Sequence, residues 1–345
     1  MNVSPGVTTL LAGNHGRSRV RERRRRPSRR RVLLLYLGVV CTAAGAQDYP
    51  SKPLRWIVPF PPGGSVDAVS RRIGPALAAQ LGQQVVLDNR TGASGNIAAE
   101  LVARAAPDGY TLMNHTVPFV VNTFLYRRVP YDPLQDFVPV SLLGTTNSVM
   151  TVHPSLPVHS VRELIAMARA KPGALHYGSA GIGTNPHICG ELLNYLAKID
   201  LVVVHFKGGG PARMAVIGGE LPISFNSVLE TAPQVKAKRL RAIAVTGSKR
   251  TPVLPDVPTM VESGVPGYEF LAWHGLLAPK GTPAALVTML RERIKMAVGN
   301  ADVVRQLEDQ GLDLVLSSPA EFGTYLKSEV NRWGPVVKER GMRAD

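Results

Sequence analysis

Cysteine is all but missing. The 345 residues hold only Cys41 and Cys189. Cys41 falls in a segment that reads as a removable leader, so the body of the chain has no second cysteine for an internal disulfide. Cys189, on the apolar side of a helix, is expected to pack as a small, inert hydrophobe. The apolar segment from Val32 to Ala44 is too short for a comfortable membrane span.

Catalytic signatures are missing as well. There is no Gly-x-Ser-x-Gly elbow; the nearest stretch, Gly63-Gly64-Ser65-Val66-Asp67, lacks the final glycine. Without Gly-Lys-Ser/Thr there is no nucleotide phosphate loop, and Gly178-Ser179-Ala180-Gly181-Ile182-Gly183 does not have the dinucleotide spacing. No His-Glu-x-x-His occurs. His187 and Cys189 lack further nearby ligands, while His153 and His159 sit in a proline-rich linker, so no metal is expected. No cofactor is expected either. Without a helix-turn-helix, a DNA-bound regulator is disfavoured.

The formal charge of +15 looks like a polyanion-binding signal, but its distribution excludes that. Residues 1–46 carry ten arginines and one glutamate. The remainder, with 30 basic and 24 acidic residues, is a mildly basic globular body, and no nucleic-acid partner is expected. The arginine cluster Arg21–Arg31, the apolar run after it and Ala44-Gly45-Ala46 together read as a secretory signal peptide. Ser28-Arg29-Arg30-Arg31-Val32-Leu33 also fits a twin-arginine signal, so Sec and twin-arginine export both stay open. Cys41 is a poor lipidation site because Val40 precedes it; cleavage after Ala46 is expected, with the mature chain beginning near Gln47.

What the chain does have is a repeated device. Leu54-Arg55-Trp56-Ile57-Val58 reads as a buried strand, and Val66 to Leu81 as an amphipathic helix. Between them lies Pro59-Phe60-Pro61-Pro62-Gly63-Gly64-Ser65. Its prolines stop sheet pairing, and its glycines leave backbone N–H groups uncovered at a helix start, where an anion is favoured. Ser65 or Asp67 is expected to cap that helix. The same device returns later. Leu175-His176-Tyr177 reads as a strand, Gly178 to Asn185 as a small loop, and Pro186 to Lys198 as a helix. Two such loops facing each other would suit a carboxylate, with Ser65, Ser179, Thr184 and His187 as added donors. No arginine clamp is evident. Strands at 138–143 and 148–152, a capping box at Ser160–Glu163, and the order βαβαβ, twice, argue an α/β chain with largely parallel sheets.

Seven runs in fixed order carry a specific resemblance. They are Val-Pro-Phe-Pro-Pro-Gly-Gly-Ser-Val-Asp (58–67), Asp-Asn-Arg-Thr-Gly-Ala-Ser-Gly-Asn (88–96), Ala-Pro-Asp-Gly-Tyr-Thr-Leu (106–112) and Pro-Tyr-Asp-Pro-Leu-Gln-Asp-Phe (130–137). Gly-Ser-Ala-Gly-Ile-Gly-Thr-Asn-Pro-His (178–187), Phe-Lys-Gly-Gly-Gly-Pro-Ala (206–212) and Leu-Pro-Asp-Val-Pro-Thr (254–259) follow. The chain from Tyr49 to Arg340 resembles the substrate-binding proteins of tripartite tricarboxylate transporters, the Bug family.

The resemblance implies an α/β, type II periplasmic-binding-protein fold, two α/β lobes joined by two crossing strands. Lobe 1 is expected over 47–149 and 272–345 and lobe 2 over 150–271, with crossings near Ser148–Val152 and Leu271–Trp273. It also implies a small carboxylate held between the lobes, largely by backbone N–H groups. By motif, Phe60, Gly63, Gly64, Ser65 and Asp67 belong to one wall. Ser179, Ala180, Gly183, Thr184 and His187 belong to the other, with Lys207, Gly208 and Asn226 beside them. The implied partners are the small carboxylate ligand and membrane transporter subunits, and the implied state is a monomer. Phe206, Pro222 and the bulky Asn114-His115-Thr116 depart from the family pattern and bear on ligand identity. Two other readings stand beside this one: a ligand-sensing module that signals to a membrane partner, and a secreted hydrolase using Ser179 or Ser65.

Overall fold

The computed structural model describes residues 49–309, 311–339 and 341–344. The leader expected over 1–46 lies outside them. The chain begins with β1 (Leu54–Val58), α1 (Ser65–Leu81), β2 (Val85–Asn89), α2 (Asn96–Ala103), β3 (Thr111–His115) and α3 (Pro118–Leu125). Next come β4 (Phe137–Val152), α4 (Val161–Ala170), β5 (His176–Ser179), α5 (Asn185–Ala197), β6 (Val202–His205), α6 (Gly209–Ile217) and β7 (Ile223–Ser227). The last part holds α7 (Val228–Lys236), β8 (Arg241–Val245), β9 (Leu271–Pro279), α8 (Ala284–Val298), α9 (Ala301–Glu308), β10 (Leu312–Leu314) and α10 (Pro319–Glu339).

Apolar patterning explains the placement of these elements. In β1, Leu54, Trp56, Ile57 and Val58 are all buried, as a strand covered on both faces requires. In α1, Val66, Val69, Ile73 and Leu77 form one buried stripe, and Gly82 ends the helix in the left-handed region at φ 64°. Ser160 caps α4 by accepting from the Glu163 N–H, while the Glu163 carboxylate accepts from the His159 N–H. Replacing Ser160 with Ala is expected to cost about 1 kcal/mol, read as a lower urea midpoint with unchanged slope. At the far end, α10 is fastened to β9: the indoles of Trp273 and Trp333 both donate to the buried Glu329 carboxylate at 3.0 Å.

The strands form one continuous sheet in the order β2-β1-β3-β9-β4-β7-β5-β6, with β8 and β10 also paired to β4. It is mixed, not largely parallel. β1 pairs with β2 and β3, and β5 with β6 and β7, in parallel. Every pairing of β4 and β9 is antiparallel. The two βαβ regions therefore meet through antiparallel strands.

β4 is where they meet. The sequence reads as two strands here, yet Phe137–Val152 is one strand with bulges. Its polar middle stays in the sheet because it is paired: Thr145, Thr146 and Asn147 face β9, and Thr145 and Thr146 also face β10. At Ser148 the strand changes neighbours, leaving β9 for β7. Two elements have no counterpart in the sequence reading, β10 and α7. Pro233 inside α7 masks the helix, although Ser227 caps it by accepting from the Leu229 N–H. Among the described residues, no helix is long and apolar enough to cross a membrane.

Candidate functional site

The parallel strands β1, β2, β5 and β6 all end on glycine-bearing turns, at Gly63–Gly64, Gly92–Gly95, Gly181–Gly183 and Gly208–Gly210. Ligands of open α/β sheets bind outside such carboxyl ends. Here the turns enclose a cavity of about 680 Å³. Its wall runs from Pro59–Val66 through Thr91–Gly95 to Ala180–Ile182, Thr184–Pro186 and Lys207–Pro211. Thr116, Pro118, Tyr126, Ser148, Arg213, Asn226, Ser227 and Glu230 complete it.

Of the residues expected at the site, Phe60, Gly63, Gly64, Ser65, Ala180, Thr184, Lys207, Gly208 and Asn226 line this cavity. Asp67, Ser179, Gly183 and His187 do not. Each of these four is turned to a neighbouring loop instead. Asp67 accepts from the Gly63 N–H at 2.9 Å, from Arg71 Nε at 2.8 Å and from Asn89 Nδ2 at 3.0 Å. Asn89 also donates to the Phe60 carbonyl, so this knot fixes the first turn. Burial pushes the Asp67 carboxyl up, but the bonds from Arg71, Gly63 and Asn89 outweigh it and hold it below the usual carboxylate range. Neither Asp67 nor Ser65 caps α1; its N-cap is Gly64, without a side-chain bond.

The second turn is shaped in the same manner. The Ser179 hydroxyl donates to the Gly181 carbonyl at 2.9 Å and lies 3.2 Å from Thr184 Oγ1. His187 Nδ1 accepts from the Gly183 N–H at 3.0 Å. Burial, then the nearby His205, push the His187 imidazole down to about 4, so it is neutral. Ser179 Oγ bonds to Gly181 and lies by Thr184, and His187 Nδ1 accepts from Gly183, so none of these bonds joins the two side chains.

The sequence also misplaces the free backbone donors. The Gly63 N–H goes to Asp67 and the Gly64 N–H to the Pro61 carbonyl at 3.4 Å. An arginine, not evident beforehand, does line the cavity: Arg213 Nη1 lies 2.6 Å from Glu230 Oε2. The loop Thr91–Gly95 was quoted among the family runs without being placed at the site. Its Ser94 hydroxyl donates across the cavity mouth to the Ile182 carbonyl. Behind it, Gly95 at φ +97° leaves no room for a side chain, since a β-carbon there would stand 2.5 Å from His115 Nε2. Burial pushes His115 down to about 3, so this wall is uncharged.

Three lining residues keep a buried polar atom without a protein partner: Thr116 Oγ1, Asn185 Oδ1 and Asn226 Nδ2. Among the described residues, no three His, Cys, Asp or Glu side chains gather to hold a metal ion.

A curled mixed sheet with a cavity at its strand ends fits a binding protein, and comparison with solved structures gives the same class. The chain is similar to the periplasmic binding protein BugD, with a TM-score of 0.81 and 31% identity over 86% of this chain and 99% of that one. It is also similar to Rpa4515 of R. palustris, solved with adipate, with a TM-score of 0.82 and 35% identity over 86% and 99% of the two chains. For MatC of Rhodopseudomonas palustris, solved with bound malate, the TM-score is 0.79, with 33% identity over 84% and 100%. The family model described as "Tripartite tricarboxylate transporter family receptor" matches residues 69–342. The chain belongs to that family.

Proposed function

We propose that this protein is a periplasmic solute-binding protein that captures a small carboxylate-containing ligand and delivers it to a tripartite tricarboxylate-type transporter, without catalysing a reaction. One observation carries the reading: glycine-bearing turns from both halves of the sheet enclose one cavity whose wall carries Lys207, Arg213 and the helix starts at Gly64 and Gly208. The adipate and malate bound to the two R. palustris proteins support a carboxylate. In this reading a cleaved leader exports the chain, and it works as a monomer that docks on membrane transporter subunits.

The lobes of this reading are residues 47–149 with 272–345, and residues 150–271. They turn about the place where β4 changes neighbours and about the start of β9. A ligand touching both lobes favours the state in which both sets of contacts exist. Titration calorimetry with malate and adipate is expected to show one site per chain for at least one of them. Small-angle scattering should then show a smaller radius of gyration at saturation. Heat without compaction would contradict closure, and no heat with any small carboxylate would remove the carboxylate.

A further inference from the structure

The anion place of this cavity already holds an anion from the chain itself. Glu230 stands in the first turn of α7, with its side chain 12% exposed and on the cavity wall. Its carboxylate takes the Arg213 guanidinium, at 2.6 Å, from α6. Two glycines lie beside it at ordinary van der Waals distance. A β-carbon on Gly64 would stand 4.0 Å from Oε1, and one on Gly209 3.6 Å from Oε2. So the group lies between the N-termini of α1 and α6, both positive dipole ends, and bonds to the single guanidinium on the wall. Asn226, 3% exposed, lies against the same Gly209, and its amide Nδ2 has no partner.

A free carboxylate entering this cavity meets two cations on its wall, Lys207 and Arg213, and of these only the Arg213 guanidinium offers a planar two-pronged donor that a carboxylate matches. It cannot share that guanidinium with Glu230, since two carboxylates at one site repel. We propose that Glu230 is a tethered stand-in for the ligand's carboxylate and sets specificity: an incoming acid binds by taking Arg213 from it. The inference rests on the carboxylate-binding reading above. Its consequence is selection. Affinity for a bare carboxylate is held down by the internal competitor, and only an acid whose remaining groups engage atoms such as Asn226 Nδ2 displaces it.

Glu230→Gln keeps the shape of the side chain and removes its charge. For whichever of adipate and malate the wild-type protein binds, calorimetry is expected to show at least fivefold tighter binding to Glu230→Gln. Arg213→Gln should weaken the same acid at least tenfold in both backgrounds. Circular dichroism and thermal melting establish that each variant is folded. A crystal structure of the wild-type protein with the bound acid supplies a readout that needs no variant. The acid's carboxylate should sit on Arg213, with Glu230 turned away. Unchanged or weaker binding by folded Glu230→Gln overturns this inference alone, as does a liganded structure with Glu230 still on Arg213. If neither acid binds either protein, it falls together with the carboxylate reading.

Discussion

Between pH 7 and pH 5 this fold is expected to lose about 6 kcal/mol of stability, with three buried histidines as the cause. Burial pushes His115 and His274 down to about 3, and burial with the neighbouring His205 pushes His187 down to about 4. In the unfolded chain each would titrate near about 6.5. The folded state therefore binds fewer protons than the unfolded state in the window between these values. The stability is present in full above the unfolded value and is lost as pH falls toward the folded one. At pH 5 each unfolded imidazole has gained about 2 kcal/mol from its proton, and the folded one almost nothing. Domains hold only about 5–15 kcal/mol in total. Glu230 and Asp313, whose carboxyls burial pushes up, act in the opposite sense and soften the fall. Urea midpoints should drop steeply from pH 7 to 5, and His274→Gln should make the slope shallower. A midpoint flat across that range would rule the account out.

Gly183→Ala should separate binding from folding. Gly183 does not line the cavity, yet it lies where the second turn meets α3. A β-carbon there would stand 2.6 Å from Asn122 Oδ1 and 2.8 Å from Leu125 Cδ1. Its φ of +75° costs an alanine about 1–2 kcal/mol, and this is felt whether the two sides touch or not. The overlap with α3 is felt only when they touch. Overpacking of that kind costs about 1–3 kcal/mol, so ligand affinity should fall about ten- to a hundredfold. Calorimetry with the bound acid, set against urea unfolding of the same variant, separates the two effects. An affinity equal to wild type in a folded protein would mean that this contact is not part of the bound state.

Local pattern explains which parts of the molecule the sequence reveals. β1, α1 and α5 are strong periodic segments with clear ends, so apolar spacing and caps locate them within a residue or two. The central strand is different. Gly144–Asn147 reads as a break because polar residues in isolation favour one, but distant β9 and β10 supply their pairing. The site divides on the same line. The turns are visible because glycine and proline are local signals. Arg213–Glu230 is not, because it joins two helices, one of them hidden by Pro233. Asp67, Ser179 and His187 sit in the right motifs, but which way they point depends on Gly63, Gly181 and Gly183, whose N–H groups they hold.

The place of β9 also governs the order in which the chain can be completed. It lies between β3 and β4 in the sheet, yet it follows both by more than a hundred residues: Met113 pairs with Leu277, and Val138 with Ala278. Until β9 arrives, β3 and the first part of β4 each have an open edge, and open edges invite pairing with other chains. The strands β5 to β8 and the end of β4 need nothing from β9 to pair. A chain delivered N-terminus first can thus assemble its middle while its beginning waits for its end. Long-range pairing of this kind slows folding, and the waiting segment is the one a chaperone at the exit would have to shield.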